Sequence, residues 1–89
     1  GAALVRAFEK HYECERFTRV VPLGDPAVAE PKFFDVQGSN DTNRIDLFVF
    51  ADATQAILIA REDNLGKGAS GAAVQCMNLH LGCEESAGL

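Results

Sequence analysis

The sequence predicts an α+β fold in which an antiparallel or mixed sheet lies between an N-terminal helix and a C-terminal helix. Residues 2–13 and about 67–81 have the periodicity of helices, whereas residues 44–50 and 56–60 resemble two neighbouring strands. The chain has 89 residues and forms at most one domain. A domain of this size often needs a disulfide, a metal or a partner to stay folded.

The first helix has one apolar and one charged face. Helical spacing places four apolar residues together, namely Leu4, Val5, Phe8 and Tyr12. The opposite face carries charged residues, namely Arg6, Glu9, Lys10 and Glu13. This pattern is typical of a helix that packs one side against a core.

A short strand and a loop follow the first helix. Residues 17–21 alternate enough to predict a strand, which Pro22 ends. All three prolines of the chain lie in residues 22–31, so this stretch is predicted to be a loop. Residues 33–37 are a possible strand, and residues 38–41 have the composition of a turn.

The central hairpin is predicted from alternation. Ile45, Leu47 and Val49 share one face of the first strand. The other face carries Arg44, Asp46, Phe48 and Phe50, so both faces should be covered in part. The connection through residues 52–55 is short and polar, which favours antiparallel pairing with residues 56–60. Residues 61–68 are polar and contain glycine.

The last helix is apolar around most of its circumference. One stripe contains Ala69, Ala72, Cys76, Leu79 and Cys83, and a second contains Ser70, Val74, Met77 and Leu81. The narrow polar or small face contains Gly71, Gln75, Asn78 and Gly82. Such a helix should be buried against more than one layer. Because one hairpin and one helix give little cover, either the chain oligomerises or a longer polypeptide supplies the cover.

Composition and charge exclude several classes of function. The 8 basic and 13 acidic residues give a net charge of −5, so no basic stripe is available for nucleic acid. No apolar run is long enough to span a membrane, and residues 1–4 lack the charged region of a signal peptide. The chain has three cysteines, namely Cys14, Cys76 and Cys83. Because their number is odd and their spacing is not that of zinc ligands, we predict reduced, buried thiols, no metal site and a cytoplasmic location.

The start of the last helix contains a glycine-rich motif. Residues 66–71, Gly-Lys-Gly-Ala-Ser-Gly, match G-x-G-x-x-G after a predicted strand. Backbone N–H groups, the helix dipole and Lys67 are the elements of an anion site. A self-contained dinucleotide fold is excluded because no parallel strand follows, and a P-loop because Lys67 precedes the second glycine. A ligand-binding helix start and a structural glycine-rich cap both remain open.

Residues 63–79, Asp-Asn-Leu-Gly-Lys-Gly-Ala-Ser-Gly-Ala-Ala-Val-Gln-Cys-Met-Asn-Leu, closely resemble the C-terminal signature of N-acetyl-gamma-glutamyl-phosphate reductase. Aspartate-semialdehyde dehydrogenase has a similar segment. His11-Tyr12 with Glu15, Phe17 and Val20 is similar to a stretch of the reductase, and residues 43–50 are similar to a central strand of its shorter subtype. The resemblance covers about residues 4–83.

The resemblance implies the C-terminal part of an NADP-dependent enzyme of arginine biosynthesis that reduces N-acetyl-glutamyl phosphate to the semialdehyde. It implies a glyceraldehyde-3-phosphate-dehydrogenase-like C-terminal domain, in which residues 1–62 end the substrate and dimerisation domain and residues 63–89 form the glycine-rich loop and returning helix. The implied partners are the NADP-binding domain of the same enzyme and a second copy through the sheet.

The catalytic cysteine and histidine of that family match no residue of this chain, so the resemblance assigns no catalytic residue here, and we expect the chain alone to be inactive. It assigns contacts near the nicotinamide end of NADP to Asn64, Gly66, Lys67, Gly68, Ala69, Ser70, Gly71 and Ala72. Ala72 replaces a frequent amide side chain, which favours backbone contact. Lys67 either contacts the ligand or compensates the helix dipole, and Gln75 and Asn78 are expected to be packed polar groups. The alternative is a small stand-alone α+β interaction module without catalysis.

Overall fold

A computed structural model describes residues 1–89 and shows an α+β fold with helices at both ends, as predicted. The helices are α1 (Ala2–Tyr12), α2 (Pro26–Ala29) and α3 (Gly71–Leu81), and the strands are β1 (Thr18–Val20), β2 (Ile45–Ala51) and β3 (Ala56–Glu62). A π-helix, Gly66–Ser70, runs directly into α3. None of the helices has the length and apolar character needed to cross a membrane.

The three strands form a mixed sheet in the order β1-β2-β3. β1 lies parallel to β2, with Thr18 opposite Ile45, and β2 lies antiparallel to β3, with Phe48 opposite Ile59. The predicted hairpin is therefore confirmed. The Asp52 carboxylate closes its turn by accepting hydrogen bonds from the backbone of Thr54 and Gln55. β3 extends two residues beyond the predicted 56–60 because its last residues still pair with β2.

The segment between β1 and β2 differs from the sequence prediction. The prediction of a strand at residues 33–37 is wrong, because these residues form bends and turns without a strand partner. Phe34 instead packs its ring edge-on against Phe48 with centroids 5.0 Å apart. The predicted proline loop contains the short helix α2, which starts where the Asp25 carboxylate accepts a hydrogen bond from Ala27 N at 2.9 Å.

The apolar core is small and lies on both faces of β2. The buried apolar side chains are Val5, Val21, Phe48 and Val49. Phe48 and Val49 are neighbours in the strand and therefore point to opposite faces, so the prediction of two partly covered faces is confirmed. Four buried apolar residues are few for a chain of this length, which agrees with the need for additional cover.

Helix α3 lies with its polar face inward. Gly71 and Asn78 are buried, whereas Met77, Leu79 and Leu81 are 53–64% exposed. The apolar stripes therefore lie open within this chain, which agrees with the expectation that the chain itself gives them little cover. The polar face turns inward because it makes the hydrogen bonds to the rest of the fold. Cys14, Cys76 and Cys83 are likewise exposed, so the prediction of buried thiols is wrong.

Candidate functional site

The glycine-rich segment forms a π-helix, in which each N–H donates to the carbonyl five residues earlier. Gly68 N donates to Asp63 O at 2.9 Å, Ser70 N donates to Leu65 O at 3.2 Å, and Gly71 N donates to Gly66 O. These N–H groups are therefore satisfied inside the chain. Sequence reasoning missed the π-helix, because three glycines within six residues fit the start of an α-helix equally well. Single π-turns inside α-helices occur frequently at functional sites.

At two of these positions only glycine fits, because other atoms of the chain lie where a Cβ would be. A Cβ on Gly66 would lie 2.9 Å from Thr42 O, and a Cβ on Gly71 would lie 2.2 Å from Asn43 Oδ1 and 2.7 Å from Gly66 O. The loop before β2 therefore packs directly against the start of α3. Asn43 Oδ1 faces this contact and is buried without a hydrogen-bond partner.

Lys67 is turned toward the body of the protein. Its ammonium donates to Gln75 Oε1 at 2.5 Å and lies 5.6 Å from the centre of the Phe17 ring. The hydroxyl of Ser70 is also used internally, because it donates to Leu65 O at 3.0 Å. The polar side chains of the segment therefore support the local fold, and the outward surface consists mainly of small residues.

A surface depression of about 330 Å³ lies beside the glycine-rich segment. Its lining comes from the loop before β2, the glycine-rich segment and the C-terminus, namely Asp41, Thr42, Asn43, Asp63, Leu65, Gly66, Ser70, Gly71 and Leu89. Backbone hydrogen bonds from Asp41 and Leu65 lower the pKa of the Asp63 carboxyl. The charged groups of this depression are both acidic, so it does not suit a phosphate.

The eight residues assigned by resemblance occupy one continuous segment with different exposures. Asn64, Gly68, Ala69 and Ser70 are exposed, Gly66, Lys67 and Ala72 are half-buried, and Gly71 is buried. Their contact with a cofactor stays a prediction. The exposed members present little side-chain bulk, so a flat ligand can approach the backbone closely there.

Gln75 connects three parts of the chain on the inner face of α3. Its Oε1 accepts from Lys67 and also from Asn43 Nδ2 at 2.9 Å, and its Nε2 donates to Glu85 Oε1 at 2.9 Å. One turn later, the buried Asn78 donates to the carbonyl oxygens of Glu85 and Ala87 at 3.0 and 2.8 Å. The expectation that Gln75 and Asn78 are packed polar groups agrees with these contacts, and their partners could not be read from the sequence.

A buried ion pair lies on the same side of the sheet as Phe48. Asp46 is fully buried and accepts from Arg44 at 2.6 and 3.1 Å, from Ser39 at 2.7 Å and from Arg61 at 3.0 Å. Arg61 lies 4.8 Å from the Phe48 ring centre. Burial alone would raise the pKa of Asp46, but the hydrogen bonds from Arg44, Ser39 and Arg61 outweigh it and lower the pKa to about 2.

This low pKa predicts the acid stability of the fold. Because the pKa of Asp46 is below its ordinary value of 3.8, its contribution is complete above pH 3.8 and is lost as the pH falls through about 2. The contribution is about 2 kcal/mol. We expect urea unfolding to give a free energy of unfolding that falls in this window, and Asp46→Asn to make that fall smaller, while the carboxyl groups of Asp52, Asp63 and Glu84, whose pKa values are also lowered, keep their part of it. An unchanged pH profile in Asp46→Asn would contradict the assignment.

This chain is similar in sequence to several named enzymes. No protein-family model matches it. The protein named N-acetyl-gamma-glutamyl-phosphate reductase 2 from a Nostoc strain is 44% identical over 92 residues, which cover 100% of this chain and 29% of that protein. The corresponding reductases of Burkholderia orbicola and a Janthinobacterium strain are 45% and 44% identical over 89 residues. This chain matches a C-terminal segment of N-acetyl-gamma-glutamyl-phosphate reductase.

The match to N-acetyl-gamma-glutamyl-phosphate reductase confirms the resemblance seen in residues 63–79. The chain spans 24–29% of the length of these relatives, so it corresponds to about a quarter of such a reductase. The glycine-rich segment and α3 belong to the matched region, which covers 98–100% of the chain.

Proposed function

We propose that this chain is the C-terminal part of an NADP-dependent reductase that converts N-acetyl-glutamyl phosphate to the semialdehyde in arginine biosynthesis in the cytoplasm. The observation that carries the proposal is the identity of 44–45% to named reductases over essentially the whole chain. The catalytic nucleophile and base belong to the rest of the enzyme. The chain by itself is inactive.

The glycine-rich segment is the part of this chain that contacts NADP. When bound, the nicotinamide supplies the hydride. The segment supplies small residues at Gly68, Ala69 and Ala72 and the exposed apolar side chain of Leu65, and an uncharged ring and its sugar can lie on this surface. The acidic depression beside it and the inward position of Lys67 favour the nicotinamide end of the cofactor over a phosphate group.

The NADP-binding domain of the same enzyme covers the outer face of α3. Away from its inward polar side, the helix exposes Met77 and Leu81 of one apolar stripe and Leu79 of the other, and exposed apolar patches of this kind mark interaction sites. A second copy of the enzyme packs on the sheet, where the edge strand β3 exposes Ile57 and Leu58. Both contacts together supply the cover that the small core lacks.

A graft tests the proposal. The 92 aligned residues of the Nostoc reductase are replaced by this chain, and NADPH-dependent reduction of N-acetyl-glutamyl phosphate is measured. We expect turnover within about tenfold of the parent, which corresponds to about 1.4 kcal/mol in the barrier. The parent truncated before the aligned segment and the 89-residue chain alone should show no turnover.

A thiol reagent provides the folding control for the graft. Cys76 is exposed in this chain and should react rapidly there, whereas in the graft the domain that covers α3 should protect it. An inactive graft with a protected Cys76 would contradict the function. An inactive graft with a reactive Cys76 would contradict the proposed contact between α3 and the NADP-binding domain.

A further inference from the structure

The side-chain amide of Gln75 lies between a cation and an anion. Its oxygen faces the Lys67 ammonium at 2.5 Å and the Asn43 amide at 2.9 Å, and its nitrogen faces the Glu85 carboxylate at 2.9 Å. Each dipole end meets a partner of opposite sign, and hydrogen bonds to charged groups are stronger than those between neutral groups. A flipped amide would turn its NH2 group toward the Lys67 ammonium and its oxygen toward the Glu85 carboxylate, so these two charged groups together fix its orientation.

Several contacts of the C-terminal tail, residues 82–89, hold Glu85 in this position. Gly82 adopts the left-handed conformation, with φ of 70°, and reverses the chain at the end of α3. The buried Asn78 side chain then donates to the backbone of Glu85 and Ala87. The Arg16 guanidinium pairs with Glu84 and donates to Ser86 Oγ at 2.8 Å. The tail is therefore attached both to α3 and to the segment before β1.

We propose that Gln75 is a positioning residue. Glu85 of the C-terminal tail orients the Gln75 amide, and this amide holds Lys67 and thereby fixes the glycine-rich π-helix for contact with the cofactor. Lys67 is a residue of the π-helix, whereas Gln75 lies one turn into α3 and Asn43 lies in the loop before β2. The amide therefore joins the π-helix to the two elements that flank it. The functional part of this proposal rests on the proposed reductase function.

An exchange of charge between Gln75 and Glu85 tests the contact in the graft. Gln75→Glu keeps an acceptor for Lys67 but places two carboxylates together at the Glu85 contact, so residue 75 loses the partner that orients it. We expect the KM for NADPH to rise about tenfold with kcat within about twofold, because binding rather than chemistry is affected. The double variant Gln75→Glu with Glu85→Gln restores one carboxylate and one amide at the same contact. It should bring the KM back to within about twofold of the unaltered graft.

The control is Gln37→Glu, which makes the same change at an exposed glutamine and should leave both constants unchanged. A double variant as impaired as Gln75→Glu, or an unimpaired Gln75→Glu, would overturn the positioning role. If the unaltered graft is inactive and its Cys76 is protected, the reductase function fails. In any inactive graft, the contacts of Gln75 with Lys67 and Glu85 are decided on the 89-residue chain alone.

The NMR signals of the Gln75 side-chain NH2 group provide that decision. We expect Lys67→Met and Glu85→Gln each to shift these signals, whereas the matched changes Lys32→Met and Glu9→Gln at exposed residues should not. If the Gln75 signals are unshifted in both Lys67→Met and Glu85→Gln, the proposed contacts of Gln75 with Lys67 and Glu85 are overturned, whatever the activity of the graft.

Discussion

Replacement of Gly71 by alanine is expected to lower the free energy of unfolding by about 3 kcal/mol. The added Cβ would lie 2.2 Å from Asn43 Oδ1 and 2.7 Å from Gly66 O, and the second of these atoms is backbone that cannot rotate away. The higher helix propensity of alanine, about 1 kcal/mol, does not offset such an overlap. Thermal and urea unfolding followed by circular dichroism measure the effect.

The matched control is Gly24→Ala, because a Cβ on Gly24 meets no atom within 4 Å. This variant should unfold within about 0.5 kcal/mol of the unaltered chain. If Gly71→Ala is as stable as Gly24→Ala, the close packing of the loop before β2 against the start of α3 is contradicted. In the graft, Gly71→Ala should also weaken NADPH binding, because the same overlap displaces the π-helix.

Replacement of Asp46 by asparagine is expected to lower the free energy of unfolding by about 3 kcal/mol at neutral pH. Asp46 is fully buried and is the shared partner of Arg44 and Arg61, which are themselves 33% and 14% exposed at the side chain. The substitution keeps the shape but leaves both guanidinium groups without their counter-charge. Urea unfolding at pH 7 measures the loss.

Glu9→Gln is the control for Asp46→Asn, because it removes a carboxylate from the exposed face of α1. It should change stability by less than about 0.5 kcal/mol. A loss below about 1 kcal/mol in Asp46→Asn would show that the ion pair contributes little to the fold, and it would also contradict the acid-stability window derived from the low pKa of Asp46.

The hairpin and the first helix could be predicted because their patterns are local. Alternation in residues 44–50 and helical spacing in residues 2–13 each reflect a periodic contact with one layer. The error at residues 33–37 arose because two phenylalanines in a short apolar run resemble a strand. The Asp35 carbonyl there accepts from Arg61 at 2.8 Å, and Phe34 covers the sheet, so tertiary contacts override the strand pattern.

The orientation of α3 could not be predicted from periodicity alone. A helical pattern separates two faces, but which face turns inward depends on what covers each one. In this chain the polar face makes the hydrogen bonds of Gln75 and Asn78, and the apolar face is left for a partner. Cys76 lies on the apolar side of α3 and is exposed with it, whereas Cys14 and Cys83 are exposed just after the ends of α1 and α3.

The glycine-rich segment was located by its sequence, but its geometry was not. An α-helix and a π-helix over five residues have the same glycine pattern, and only the hydrogen bonds to the carbonyls five residues earlier distinguish them. The contacts of Lys67 and Glu85 with Gln75 join residues that lie 8 and 10 positions from it, and Asn43 lies 32 positions away. Such contacts depend on the tertiary fold and carry no local signal.

The turnover of the Nostoc graft tests the central claim most directly, namely that this chain completes an N-acetyl-gamma-glutamyl-phosphate reductase. NADPH oxidation that depends on N-acetyl-glutamyl phosphate is compared between the graft, its parent and the truncated parent. We predict a graft rate within about tenfold of the parent and no rate for the truncated protein. A graft as inactive as the truncated parent, with Cys76 protected from thiol reagents and α3 therefore in place, would contradict the claim.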